Sequence, residues 1–405
     1  MGKRRVVVTG IGVITSNASG IQEFSKSLRI GQSGFKRVKL FDPSPYKFDL
    51  IGEIGNIKNR NTVMDRASQL AMIAAREAVV DADREWIIEK RTRCGVILGT
   101  TCGGITSHEI VIKKWQDNQP VSSDEINEVP FHAMAQHIAG KYRLEGPVAT
   151  VTIACASGLN AVGFATDLIR NGQADIMLAG GSDTVSLFTF SGFSVLKSMA
   201  KDTCRPFDNN RTGIVLGEGA GIIVLESLDE AMKRGAKIYA EILGYGFCND
   251  AYHSTAPDPE GWGMVRSIQQ ALHKSGIGYE DIDYINAHGT GTGANDVMEC
   301  NAYKRVFGDR AYRIPISSTK SMIGHTLGAS GAIELIATIL SIDGQFVPPT
   351  VNYSTFDPEC DLDVVPNRGR PANLRYALCC NAGFAGNNTA LIVGIIGDKE
   401  TYGGA

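Results

Sequence analysis

Short apolar runs closed by glycine or acidic residues alternate along the chain with longer stretches whose apolar positions recur every three or four residues. The first run spans residues 5–14, and similar ones recur at 94–99, 149–154, 175–180 and 221–226. They are short, apolar, often β-branched and bounded by turn residues, which predicts interior strands. Between them, residues 67–83 and 158–171 place charges toward one face and apolar side chains on the other, predicting helices. Strands alternating with helices predict an α/β fold.

The pattern then restarts. Residues 238–245 and 282–287 read as strands, 264–274 and 328–342 as helices, and the runs at 376–380 and 389–394 as closing strands. Two similar halves follow, at 1–236 and 237–405, with no strict repeat or flexible linker between them. A chain of 405 residues is long enough for two packed lobes. Its 46 glycines exceed the roughly 7% average, and many end a strand run, where the backbone turns or is approached closely.

Composition narrows the function. A hydrophobic fraction of 43% and a charged fraction of 20% are those of an ordinary globular protein. The net charge of −3 removes the long-range attraction that nucleic acid would need. Nine scattered cysteines, with Cys379 and Cys380 the one close pair, read as reduced thiols without a zinc-binding spacing. No metal is expected. The basic N-terminus passes straight into a strand pattern and no apolar run is expected to reach membrane-spanning length, so the expected address is cytoplasmic.

Four constellations carry chemistry. In the first, a strand ends at Cys155 and turns through Ala156 and Gly158 into a helix. A helix N-terminus favours thiolate, so Cys155 is a candidate nucleophile with a lowered pKa; its bland alternative is a small buried hydrophobe. The second places His288 at a strand end before Thr290 and Thr292, where an imidazole could donate to a developing enolate and the hydroxyls could hold a polar arm. In the third, Lys320 and His325 flank one turn before a glycine-rich helix carrying Glu334. Lys320 and Glu334 are either exposed or, if buried, paired, with the cation keeping His325 neutral. The fourth is a turn around Phe384, whose amide could join that of Cys155 as an oxyanion hole while its ring gates the pocket.

Taken together, these motifs resemble the β-ketoacyl-acyl carrier protein synthases along the whole chain. The resemblance implies a thiolase-like five-layered αβαβα fold built from two similar halves. It also implies decarboxylative Claisen condensation. Cys155 would take an acyl chain from the phosphopantetheine of an acyl carrier protein, and His288 and His325 would assist decarboxylation of malonyl carrier protein. Lys320, paired with Glu334, would support His325, and Thr290 and Thr292 would hold the pantetheine arm. No bound cofactor is implied.

Within that family, segments 40–46, 295–305 and 357–363 look most like the ketosynthase alpha subunits of type II aromatic polyketide systems. Cys102 and Ala382 stand where fatty-acid enzymes tend to carry bulkier residues, which suits a roomier acyl tunnel. Ala385 replaces the usual glycine after the gate. Such subunits pair with a chain-length factor lacking the nucleophile, which implies a heterodimer. A homodimeric fatty-acid elongating synthase is the alternative; a non-catalytic scaffold and a cysteine hydrolase are less compatible with an intact Cys155 and a second histidine. Arg66, Lys113, Lys114 and Arg205 are the candidate cations for docking an acidic carrier protein.

Overall fold

The computed structural model describes residues 4–55, 57 and 63–396. Ten strands and a two-residue spur form one mixed sheet of eleven strands. In the first half the strands are β1 (Val6–Thr15), β2 (Cys94–Gly99), β3 (Val148–Val151), β4 (Ile176–Asp183) and β5 (Gly219–Ser227). The second half holds β6 (Ala240–Asn249), β7 (Tyr284–Asn286), β8 (Ile316–Ser317), β9 (Tyr376–Gly383) and β10 (Asn387–Gly394).

The strand order is β3-β2-β4-β5-β1 in one half and β8-β7-β9-β10-β6 in the other. Both run parallel across their first three strands and antiparallel across the rest. The two are joined where Val6–Val8 of β1 pair antiparallel with Ala240–Ile242 of β6. We propose 1–236 and 237–405 as the corresponding division of the chain.

Pleating sends alternate side chains to opposite faces. In β5, Ile222 and Val224 join an outer core with Leu70 and Ala74 of α1 (Arg66–Asp81), while Ile223 and Leu225 face inward. The inner core also receives Leu159 and Val162 from α2 (Ser157–Arg170). Ahead lie α3 (Leu187–Val195), α4 (Trp262–Ser275), α5 (Gly293–Phe307) and α6 (Ser330–Gly344). Ile333 and Ile336 of α6 share the inner core with α2, and Met264 and Ile268 of α4 close the far face over Leu378 and Ile392. The layers are therefore helix, sheet, paired central helices, sheet, helix, the five-layered thiolase-like arrangement. Glycine lets the layers approach: a Cβ on Gly12 would fall 1.9 Å from the Ala74 carbonyl oxygen.

One expectation is corrected here. The stretch Leu327–Gly344 is long and apolar enough to cross a membrane on length and composition, but 89% of it is buried within the fold. It is mostly apolar because it is packed on all sides, and Glu334 is its buried charged residue.

Candidate active site

The turn after β3 bends sharply at Ala154, whose φ of 45° is left-handed and costly for a residue with a Cβ. Ser157 holds that bend: its hydroxyl donates to the Ala154 carbonyl at 2.6 Å and accepts the Ile153 N–H at 2.8 Å. Cys155 sits on the bend, two residues before α2, and the amides of Cys155 and Phe384 lie near enough to its sulfur to favour the thiolate. Gly383 makes that approach feasible, since a Cβ there would stand 3.2 Å from the Cys155 nitrogen.

The thiol departs from the sequence expectation. Burial pushes Cys155 up to about 12, the Lys320 cation and the two amides pull it down, and Asp183 raises it further. Desolvation outweighs the helix terminus at this buried sulfur, so the resting group is a neutral thiol.

His288 follows β7 and His325 follows the short helix Lys320–Ile323, which brings the two rings edge to face with centroids 5.4 Å apart. Both are buried. Burial, then the Lys320 cation, then His325 hold His288 well below the usual imidazole range; burial and Lys320 take His325 down to about 3. The tautomers follow from the partners. Lys320 Nζ donates to His288 Nδ1 at 3.0 Å, and the Leu327 N–H donates to His325 Nδ1 at 2.9 Å. Each ring therefore carries its proton on Nε2, giving two neutral N–H donors beside one thiol.

Lys320 is fully buried and also donates to the His288 carbonyl at 2.7 Å and to the Glu334 carboxylate. Glu334 accepts a second bond from Asn381 at 2.5 Å, and burial raises its pKa. The buried-pair reading of Lys320 and Glu334 thus holds, but the direct partner of the ammonium is His288, not His325. His325 feels Lys320 only through its field. The two residues are near each other in sequence, yet the turn at Gly324, with φ of 81°, carries His325 away from the lysine.

The loop from His288 to Thr292 is shaped from beneath by α5. Glu299 accepts the amides of His288 and Gly289 at 2.8 and 2.7 Å, and Asp296 accepts that of Thr290 at 3.0 Å. Burial raises both carboxyls, Glu299 to about 7. Thr290 and Thr292 hydroxyls lie 2.9 Å apart at the wall of a cavity of about 240 Å³. Cys155, His288, His325, Ala382 and Phe384 also line it. Phe384 packs against Phe193 of α3, with ring centroids 5.6 Å apart. Ala385 takes a left-handed φ of 61°, the conformation for which glycine is usual. Its amide is anchored to the Ser254 carbonyl at 2.8 Å, so the Phe384 loop is tied to the wall segment Thr255–Pro257.

Sequence reasoning missed Phe193, Thr255, Glu299 and Asp296. Phe193 and Thr255 lie in segments without a motif, while Asp296 and Glu299 belong to a helix whose polar side chains point inward. Cys102 is half-buried with its amide on Asp183 at 3.2 Å and is not among the residues lining this cavity, unlike Ala382.

The four docking candidates scatter. Arg66 is pinned to buried Glu218 at 2.5 Å and is a structural ion pair. Lys114 pairs with Glu125, and its neighbour Lys113 on the same helix, Ile105–Gln116, is exposed. Arg205 pairs with Asp202, and its backbone lies against the Thr290–Thr292 loop beside Gly291. Among the described residues, no cluster of three or more His, Cys, Asp or Glu side chains is arranged to hold a metal ion.

Known proteins similar to this chain share one family. A family model described as "Beta-ketoacyl synthase, N-terminal domain" matches residues 3–231, and "Beta-ketoacyl synthase, C-terminal domain" matches 239–354. The chain is 40% identical over 405 residues to a 3-oxoacyl-[acyl-carrier-protein] synthase 2 of Staphylococcus aureus (strain COL), covering 96% of this chain and 98% of that one. It is equally 40% identical over 412 residues to a putative polyketide beta-ketoacyl synthase 1 of Streptomyces halstedii, with coverage of 96% and 98%. Among solved structures, the ishigamide ketosynthase/chain length factor superposes with a TM-score of 0.93 at 39% identity, over 98% of this chain and all of that chain.

Proposed function

The chain belongs to the β-ketoacyl synthase family of condensing acyltransferases, and we propose that it is the catalytic ketosynthase subunit of a polyketide-forming pair. The observation that carries the reading is the convergence on one cavity of a thiol, two amides and two neutral Nε2–H imidazoles. A hydrolase would need a base to activate water, and both imidazoles here already accept a hydrogen bond on Nδ1.

The reaction divides into two halves. The Cys155 thiol attacks the thioester of an acyl chain carried on phosphopantetheine, its carbonyl oxygen held by the amides of Cys155 and Phe384. The new S–acyl bond forms as the carrier's C–S bond breaks, and the thiol proton leaves with the carrier thiolate. Malonyl carrier protein then loses carbon dioxide. The enolate oxygen is held by the Nε2–H groups of His288 and His325, and the enolate carbon attacks the Cys155 thioester. A C–C bond forms, the C–S bond to Cys155 breaks, and the released thiolate takes up a proton from solvent. Thr290 and Thr292 hold the pantetheine arm.

The polyketide assignment is supported by small Ala382 in the cavity wall and by the likeness to the ishigamide ketosynthase/chain length factor. We accordingly place a chain-length factor as partner, an acyl carrier protein as donor with Arg205 near its docking site, and a cytoplasmic address consistent with nine free thiols. The second reading, a homodimeric fatty-acid elongating synthase, is favoured by the equal identity to the Staphylococcus aureus enzyme. Purifying the chain alone and with a nucleophile-lacking homologue separates them. Polyketide formation only by the pair supports the proposal; full activity of the lone chain on saturated acyl carriers overturns it.

A further inference from the structure

Asp183, the last residue of β4, is a fully buried carboxylate that forms no ion pair among the described residues. Its partners are four neutral donors. Oδ1 accepts the Thr100 hydroxyl at 2.6 Å and the Cys102 amide at 3.2 Å; Oδ2 accepts the amides of Thr101 and Gly328, each at 2.6 Å. Burying a carboxylate without a cation is unfavourable, so what it connects matters.

Three of those donors belong to the turn after β2, which carries Cys102. The fourth belongs to the turn Leu327–Ala329 that follows His325. That turn is strained at Leu327, whose φ is 52°, and the Leu327 amide is the group that fixes Nδ1 of His325. A path of adjacent contacts therefore runs from Asp183 through Gly328 and Leu327 to the catalytic imidazole. An asparagine could not replace the carboxylate, because its NH₂ would face two of the donors now bound.

Resting on the ketosynthase reading, we infer that Asp183 is a positioning residue of the condensation, pinning the Leu327–Ala329 turn so that His325 meets the enolate formed beside Cys155. Its charge also opposes that of Lys320 in setting the state of the Cys155 thiol. The other titratable groups facing that thiol are Cys102, His288 and His325.

The test is Asp183→Asn, with Cys155 loading, malonyl-carrier decarboxylation and the pH profile of Cys155 alkylation by iodoacetamide measured separately. Decarboxylation should fall about tenfold or more beyond any loss of loading, a local transition-state effect. The alkylation profile should move to lower pH, and Asp183→Glu, which restores the charge, should return it toward that of the parent protein. Parallel loss of both half-reactions with an unmoved alkylation profile overturns the inference. Should Asp183→Asn fail to fold, Thr100→Val keeps the charge and removes one bond: a selective loss of decarboxylation supports the inference and an equal loss of both steps refutes it. Alkylation needs no carrier protein, so its outcome is independent of whether the parent protein proves to be a ketosynthase.

Discussion

Lys320 Nζ stands 3.0 Å from Nδ1 of His288, a buried donor facing the one ring nitrogen that can accept. The contact fixes the imidazole with its proton on Nε2, toward the cavity. Lys320→Ala should therefore cost condensation about 10²–10³-fold, the scale of losing one preorganised donor to a developing oxyanion, and loading much less. It also strands Glu334 as a buried unpaired charge, so the variant should lose about 3–5 kcal/mol of unfolding free energy in denaturant melts.

The depressed histidines make stability depend on pH. His325 titrates near about 3 in the fold and near about 6.5 when unfolded. Between these values the unfolded chain binds more protons, so stability is fully present above about pH 6.5 and is lost as pH falls toward 3. His325→Gln should flatten the fall in midpoint temperature between pH 7 and pH 5 relative to the parent protein.

Cys155 alkylation reports on the resting thiol. With its pKa pushed up to about 12, the iodoacetamide rate at Cys155 should rise about tenfold per pH unit from pH 7 to 10, without a plateau, because thiolate is the reacting form. A plateau near pH 7 would show a thiolate already stabilised by the helix terminus.

Much of this was legible beforehand, and the reasons differ by residue. The run before Cys155 reads as a strand because β-branched residues concentrate there, and Lys320 with His325 carries a motif. Burial is a tertiary property, so the raised thiol could not be read from a cysteine beside a helix start. Nor could the partner of Lys320, which depends on the left-handed turn at Gly324. Asp183 and Phe193 come from segments whose neighbours in sequence are unrelated to the chemistry, and only the packed layers bring them to it. Arg66 looked like a surface cation because nothing in its own helix announces Glu218, 152 positions away.

Chain-length selection should reside partly in Ala382. Ala382→Phe fills the cavity wall, so turnover of long acyl carriers should drop about 10–200-fold while short ones are spared, measured as kcat/KM across a chain-length series. Uniform loss at every length would place the tunnel elsewhere.

The central claim, that Cys155 carries the growing chain, is tested most directly by peptide mass spectrometry after mixing the protein with an acyl carrier substrate. The account predicts an acyl mass on the Cys155 peptide, discharged when malonyl carrier protein is added and absent in Cys155→Ala. An adduct on any other cysteine, or one that persists in Cys155→Ala, would contradict it.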